Sequence, residues 1–223
     1  MFGGLITLAT TTVVVGLQQN KLREMPELGP LKEFKSKREK PELFDSKGKM
    51  KPINLTESGA KDWVVWGYDK ATKPIRKAGT KKWISDYELI QPGNKTVQPG
   101  KRGPSRAIVW KDGNPVKAVD VTYAGVHAAK DNGFRFKVPA TTETQTLEVY
   151  VGGYKAGGNF SAFLTDGSPV AMTTQDVALE EGYYSRTYSV DFKATAPNQE
   201  LTVVWRINEG SGGNISLQGA ALR

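Results

Sequence analysis

Asp62-Trp63-Val64-Val65-Trp66-Gly67 places two of the chain's five tryptophans three residues apart. A ring face offers stacking: it holds other flat, weakly polar surfaces, while nearby amides and carboxylates fix what rests on it. Four side chains are the candidates for such a platform: Trp66, Trp83, Tyr154 in the glycine-rich Val151–Gly158 stretch, and Tyr184 beside Tyr183. A core role competes for each. Residues i and i+3 of a strand face opposite ways, so Trp63 and Trp66 cannot share one surface without a bulge, and at least one is expected in the core. Trp205, inside Leu201–Ile207, also reads as core.

Groups that break bonds are scarce. Cysteine is absent, which removes disulfides, thiolate nucleophiles and cysteine zinc sites together. The one histidine, His127, has no nucleophile elbow to serve, and a lone histidine is more often structural. No His/Asp/Glu cluster has metal-ligand spacing. Glu180 and Glu181 adjoin Gly182 in a turn-like segment, so a glycosidase carboxylate pair would have to be drawn from distant strands. Gly152–Gly158 lacks the Gly-Lys-Ser/Thr ending of a phosphate loop and reads as a hairpin connection. The expectation is no catalytic residue, no metal and no cofactor.

The elements that must carry the rings have a period of two. Residues 134–138, 147–151, 188–192, 201–207 and 215–218 alternate apolar with polar positions, as strands with one buried face do. Turn residues separate them at 112–114, 131–133, 166–168, 197–198 and 210–213. Further strands are expected at 63–66, 84–90, 106–110, 117–122 and 159–164. Nine or ten short strands with no sustained 3.6-residue period predict an all-β, two-sheet antiparallel sandwich, jelly-roll-like, over residues 53–223.

Two segments precede that body. Residues 1–19 contain no charged side chain. The apolar positions Phe2, Leu5, Ile6, Leu8, Val13, Val14, Val15 and Leu17 make residues 2–18 the expected contact with a lipid bilayer, as one transmembrane helix, though the stretch is short for one. A signal peptide lacks its basic n-region here, and the β-branched run Thr10–Val15 also suits a strand. Residues 20–52 carry ten Lys/Arg, six Asp/Glu and four prolines, the composition of an extended linker. The formal charge of +8 therefore owes half its excess to the linker. No basic stripe interleaved with aromatics appears in the body, and no nucleic-acid partner is expected.

The order of motifs, with Asp62–Gly67 first, Lys77-Ala78-Gly79 leading into Ile84–Ile90, Phe134–Ser168 in the middle and Leu201–Leu222 last, resembles a β-sandwich module recurrent in bacterial secreted and cell-surface proteins. That module is similar to galactose-binding-like carbohydrate-binding modules, and the resemblance covers about residues 54–222. Val65 stands where the module commonly has histidine. The resemblance implies a recognition module that binds glycan or an envelope polymer; the first 52 residues have no counterpart in it, and together with the expected anchor at residues 2–18 and the scarcity of catalytic groups the reading is of a non-catalytic, membrane-tethered module. The other reading is a structural accessory subunit of a larger membrane complex, or of a membrane-containing virus-like particle, with the sandwich making protein contacts. A single-pass membrane location follows from either, but the side conflicts. The resemblance implies an extracytoplasmic body, whereas Lys21, Arg23 and the lysines after them place it in the cytoplasm by the positive-inside rule.

Overall fold

The computed structural model describes residues 51–70, 73–90, 98–99, 106–129, 132–165, 172–175, 182–208 and 212–223. The expected anchor (1–19), all of the linker (20–52) except its last two residues, and the Glu180–Glu181 pair lie outside them. So do the turn at 166–168 and parts of those at 131–133 and 210–213. Among the described residues no helix is long and apolar enough to cross a membrane.

The described residues open with β1 (Ile53–Asn54), a single helical turn α1 (Leu55–Ser58), β2 (Asp62–Lys70) and β3 (Lys73–Lys77). Short elements follow: β4 (Glu88–Ile90), β5 (Gln98–Pro99), β6 (Ile108–Trp110), β7 (Gly113–Asn114), β8 (Val119–Thr122) and β9 (Val126–Ala129). The long strands come last: β10 (Gly133–Ala140), β11 (Gln145–Tyr154), β12 (Gly158–Leu164), β13 (Met172–Gln175), β14 (Tyr183–Phe192), β15 (Gln199–Ile207) and β16 (Asn214–Leu222). Each stretch read from period-two alternation contains a strand. The expected strand at 84–90 shrinks to β4, because the Asp62 carboxylate takes the N–H groups of Trp83 and Ile84 at 2.8 and 2.9 Å and holds that backbone out of a ladder.

Two antiparallel sheets form the sandwich. One has the order β13-β12-β15-β10-β4; the other runs β14-β11-β16-β2-β3-β7, with β9 on β16 and β5 on β9. Between them lies a core of alternate residues from both sheets, including Phe134, Phe136, Val138, Phe160, Leu201, Val203 and Trp205 opposite Val64, Trp66, Leu147, Val149, Val151, Ile215 and Leu217.

A third layer corrects the two-sheet expectation. β1, β6 and β8 form a small sheet, and with α1 it covers the outer face of the larger one. Ile53, Leu55, Ile108 and Trp110 there pack with Trp63, Val65, Ile75, Tyr150 and Ala221 of the large sheet in a second core. β2 is consequently buried on both sides. Trp63 and Val65 face the second core while Val64 and Trp66 face the first, and all four are fully buried.

Candidate functional site

Burial decides first which rings remain available. Trp66 is inaccessible, so the structure overturns its candidacy for a ligand face. Removing such a ring from water is worth about 5 kcal/mol for roughly 200 Å². Among the described residues its Nε1–H meets no acceptor, which costs only about 1–3 kcal/mol. The core role wins. Val65, at the position where the resembling module carries histidine, faces the second core and is equally closed.

Tyr184 is also withdrawn, being only 7% exposed and part of the first core. Its strand shows why. In β14, Tyr184, Tyr188, Val190 and Phe192 share one parity and point inward; Tyr183, Ser185 and Thr187 take the other. The same alternation was present in the sequence and would have selected Tyr183. That residue is 44% exposed.

The structure brings Tyr154 and Tyr183 together. β11 and β14 pair in unbroken register from Gln145↔Phe192 to Tyr154↔Tyr183, so the two tyrosines stand side by side on the outer face. Their ring centroids are 4.3 Å apart with planes at 33°. On the other flank of β11, β16 sets Asn214 opposite Tyr154, and β9 sets Ala129 opposite Asn214. One row therefore runs Tyr183, Tyr154, Asn214, Ala129 across four strands, or about 14 Å at the usual strand spacing. The next row is Ser185, Gly152, Ser216, His127, in which His127 is half-buried and Ser216 buried. Stacking rings, an amide and a hydroxyl thus occupy one corner of the sheet.

The backbone at this corner is closely fitted. A Cβ on Gly213 would fall 1.7 Å from the Tyr154 carbonyl oxygen, so only glycine lets the return into β16 pass over the end of β11. The hairpin expected at 152–158 is instead a crossing between the two sheets, since β11 and β12 belong to different ones. Lys155, with φ +47, turns that crossing, donates its N–H to the Gly182 carbonyl at 3.1 Å, and holds its Nζ 5.6 Å from the Tyr154 ring centroid.

Trp83 stands elsewhere. It is half-buried against the first core, with Lys61 Nζ at 3.9 Å and Lys81 Nζ at 4.6 Å from its ring centroid. Its anchor Asp62 pairs with Leu222, which pairs with Leu147, seven residues before Tyr154 on β11. At 3.4 Å per residue the two sites are about 24 Å apart, so they cannot grip one small ligand together.

Among the described residues no three of His, Asp or Glu converge as metal ligands. The Tyr150 phenol is pushed well above its ordinary range by burial, with the Glu148 charge adding to it; its hydroxyl donates to Glu148 at 2.9 Å inside the second core.

No protein-family model and no curated protein sequence matches the chain. Among solved structures it is similar to the carbohydrate-binding module TmCBM61 in complex with β-1,4-galactotriose, at 12% identity and TM-score 0.41 over 62% of this chain and 88% of that one. It is similar to the module CBM6cm-2 from Cellvibrio mixtus lichenase 5A in complex with cellotriose, at 11% identity and TM-score 0.28 over 57% of this chain and 95% of that one. A cyclase from Fischerella sp. TAU in complex with 4-(1H-indol-3-yl)butan-2-one is similar at 12% identity and TM-score 0.37, over 77% of this chain and 96% of that one.

Proposed function

We propose that this protein is a non-catalytic, membrane-tethered module that recognises glycan or an envelope polymer through the Tyr154–Tyr183 corner. The observation that carries the reading is Tyr183: a large ring, 44% exposed, on a rigid strand and braced by a second tyrosine at 4.3 Å. Bracing removes the rotamer freedom that a lone surface ring loses on binding. Asn214 stands one strand spacing from Tyr154 and Ser185 two residues along β14 from Tyr183, and they supply amide and hydroxyl groups for sugar hydroxyls. The tether is residues 2–18, and residues 20–52 are the spacer.

Affinity electrophoresis of the full chain in gels containing galactan, xylan or β-glucan tests this reading. At least one glycan should retard it, and Tyr183→Ala should weaken that retardation about tenfold, the loss of roughly 1.4 kcal/mol of stacking. Equal retardation of Tyr183→Ala in every gel would refute the assignment, and release of reducing sugar would refute the non-catalytic part.

The alternative, a structural accessory subunit of a membrane assembly or virus-like particle, rests on Val121 and Tyr123. They are 51% and 43% exposed, in and just after β8, an edge strand of the small sheet. Absence of glycan retardation, together with a defined assembly that dissociates on Val121→Asp, would favour it.

A further inference from the structure

The Trp83 corner is not the open stacking face that its ring suggests; its chemistry is cationic. Lys61 and Lys81 both hold their ammonium groups inside the ~6 Å range over which an aromatic quadrupole attracts a cation. Laid end to end, the two distances keep these ammonium groups within about 9 Å of each other. Among the described residues neither lysine makes a salt bridge. The acids close by in sequence are engaged elsewhere: Asp86 with Arg76 and, at 2.7 Å, with Lys82, and Glu88 with Arg135. Asp62, next to Lys61, is buried and accepts the N–H groups of Trp83 and Ile84. Two positive charges are thus left without a carboxylate, positioned over a ring that the core holds in place.

We propose that Lys61 and Lys81, carried by Trp83, form a second binding site for the carboxylate or sulfate groups of an acidic polysaccharide. The site is independent of the tyrosine corner. The ring orders both lysines before a ligand arrives, which lowers the entropy they lose on pairing. The acids close by in sequence are already paired, Asp86 with Arg76 and Lys82 and Glu88 with Arg135, so the anions that meet these two ammonium groups come from a ligand. Two charges within about 9 Å of each other match discrete anions spaced along a chain. Binding to a lipid bilayer or to a nucleic-acid backbone is an outcome that the test separates.

The test is affinity electrophoresis of the full chain in detergent, with polygalacturonate in one gel and dextran sulfate in another. One or both should retard it. Lys61→Gln/Lys81→Gln should weaken that retardation about fivefold, as for two exposed ion pairs. The double variant should keep its melting temperature and its Tyr183-dependent retardation by neutral glycan. Because the 20–52 segment is itself basic, Lys35→Gln/Lys37→Gln serves as the control and should leave the retardation in place. The proposal fails if neither polymer retards the protein, if the linker variant loses as much as Lys61→Gln/Lys81→Gln, or if the latter binds normally. It also fails if the loss is as large with phosphatidylserine vesicles or duplex DNA as with the polysaccharides. Failure of the tyrosine corner would show only in the neutral gels, so the two sites are judged separately.

Discussion

Asp112 shows how one side chain ties the second core together. Its Oδ1 accepts from Thr56 Oγ1 at 2.7 Å and from Trp63 Nε1 at 3.0 Å, and Lys77 closes on Oδ2. Burial alone would raise this carboxyl, but hydrogen bonds from Lys77, Thr56 and Trp63 and the Lys77 charge outweigh it and hold it below its ordinary value of 3.8. A depressed carboxylate contributes stability that is present above the unfolded-state value and lost as pH falls through the folded one. Asp112→Asn should therefore cost about 1–2 kcal/mol in urea unfolding at pH 7, and the gap to wild type should narrow at pH 3. A gap of the same size at both pH values would mean that the charge contributes nothing. The two tryptophans of β2 differ in the same respect: Trp63 satisfies its N–H on Asp112, whereas Trp66 buries an N–H with no acceptor among the described residues and is held by packing on Phe136 and Tyr87.

At the scale of elements, β2 turns on Gly67. Strict alternation would send Tyr68 to the same side as Trp66, yet Tyr68 packs with the second core, its ring centroid 5.6 Å from that of Trp110. Gly67 has φ +69, and the register with β3 shifts between Val65 and Lys70, so the irregularity reverses the parity of the strand beyond it. Gly67 also lets two backbones meet, since a Cβ there would lie 2.2 Å from the Gly125 carbonyl oxygen. Gly67→Ala should cost about 3 kcal/mol, the sum of left-handed strain and overpacking. Gly79, with φ +71 and open space around it, provides the comparison. Gly79→Ala should cost about 1 kcal/mol in the same urea titration. Equal losses at both positions would remove the close approach from the account.

At the scale of the whole molecule, the proposed membrane contact of residues 2–18 can be tested by charge. If residues 2–18 enter a bilayer, two charges near the middle of that stretch are expensive, about 2.5–3.5 kcal/mol each on insertion scales. Val13→Asp/Val14→Asp should move the protein from the membrane fraction to the supernatant after carbonate washing, while the tyrosine corner keeps its glycan retardation. Persistence in the membrane fraction would show that another part of the chain makes the contact. Protease added to intact cells settles the side: digestion of the body from outside agrees with the resemblance, and protection agrees with the charge distribution.

Alternation in the residues was enough to find the long strands β10, β11, β14, β15 and β16, because burying one face of a sheet writes a period of two into them; β3, β5, β9 and β13 joined the sheets without having been expected, so nine or ten strands became sixteen among the described residues. The sequence also marked Tyr154 as a ring outside the core and, through the parity of Tyr184, Tyr188, Val190 and Phe192, held the information that Tyr183 rather than Tyr184 faces out. Three features arose from long-range contacts alone: the covering of the large sheet's other face, which buried Trp63 and Val65; the pairing of Tyr154 with Tyr183; and the placement of Lys61 with Lys81 over Trp83. Alternation reports that a strand has a buried side. Apolar residues at both parities, as in Trp63–Trp66, mark a strand with two buried sides, but which segment covers the second side depends on residues distant in sequence.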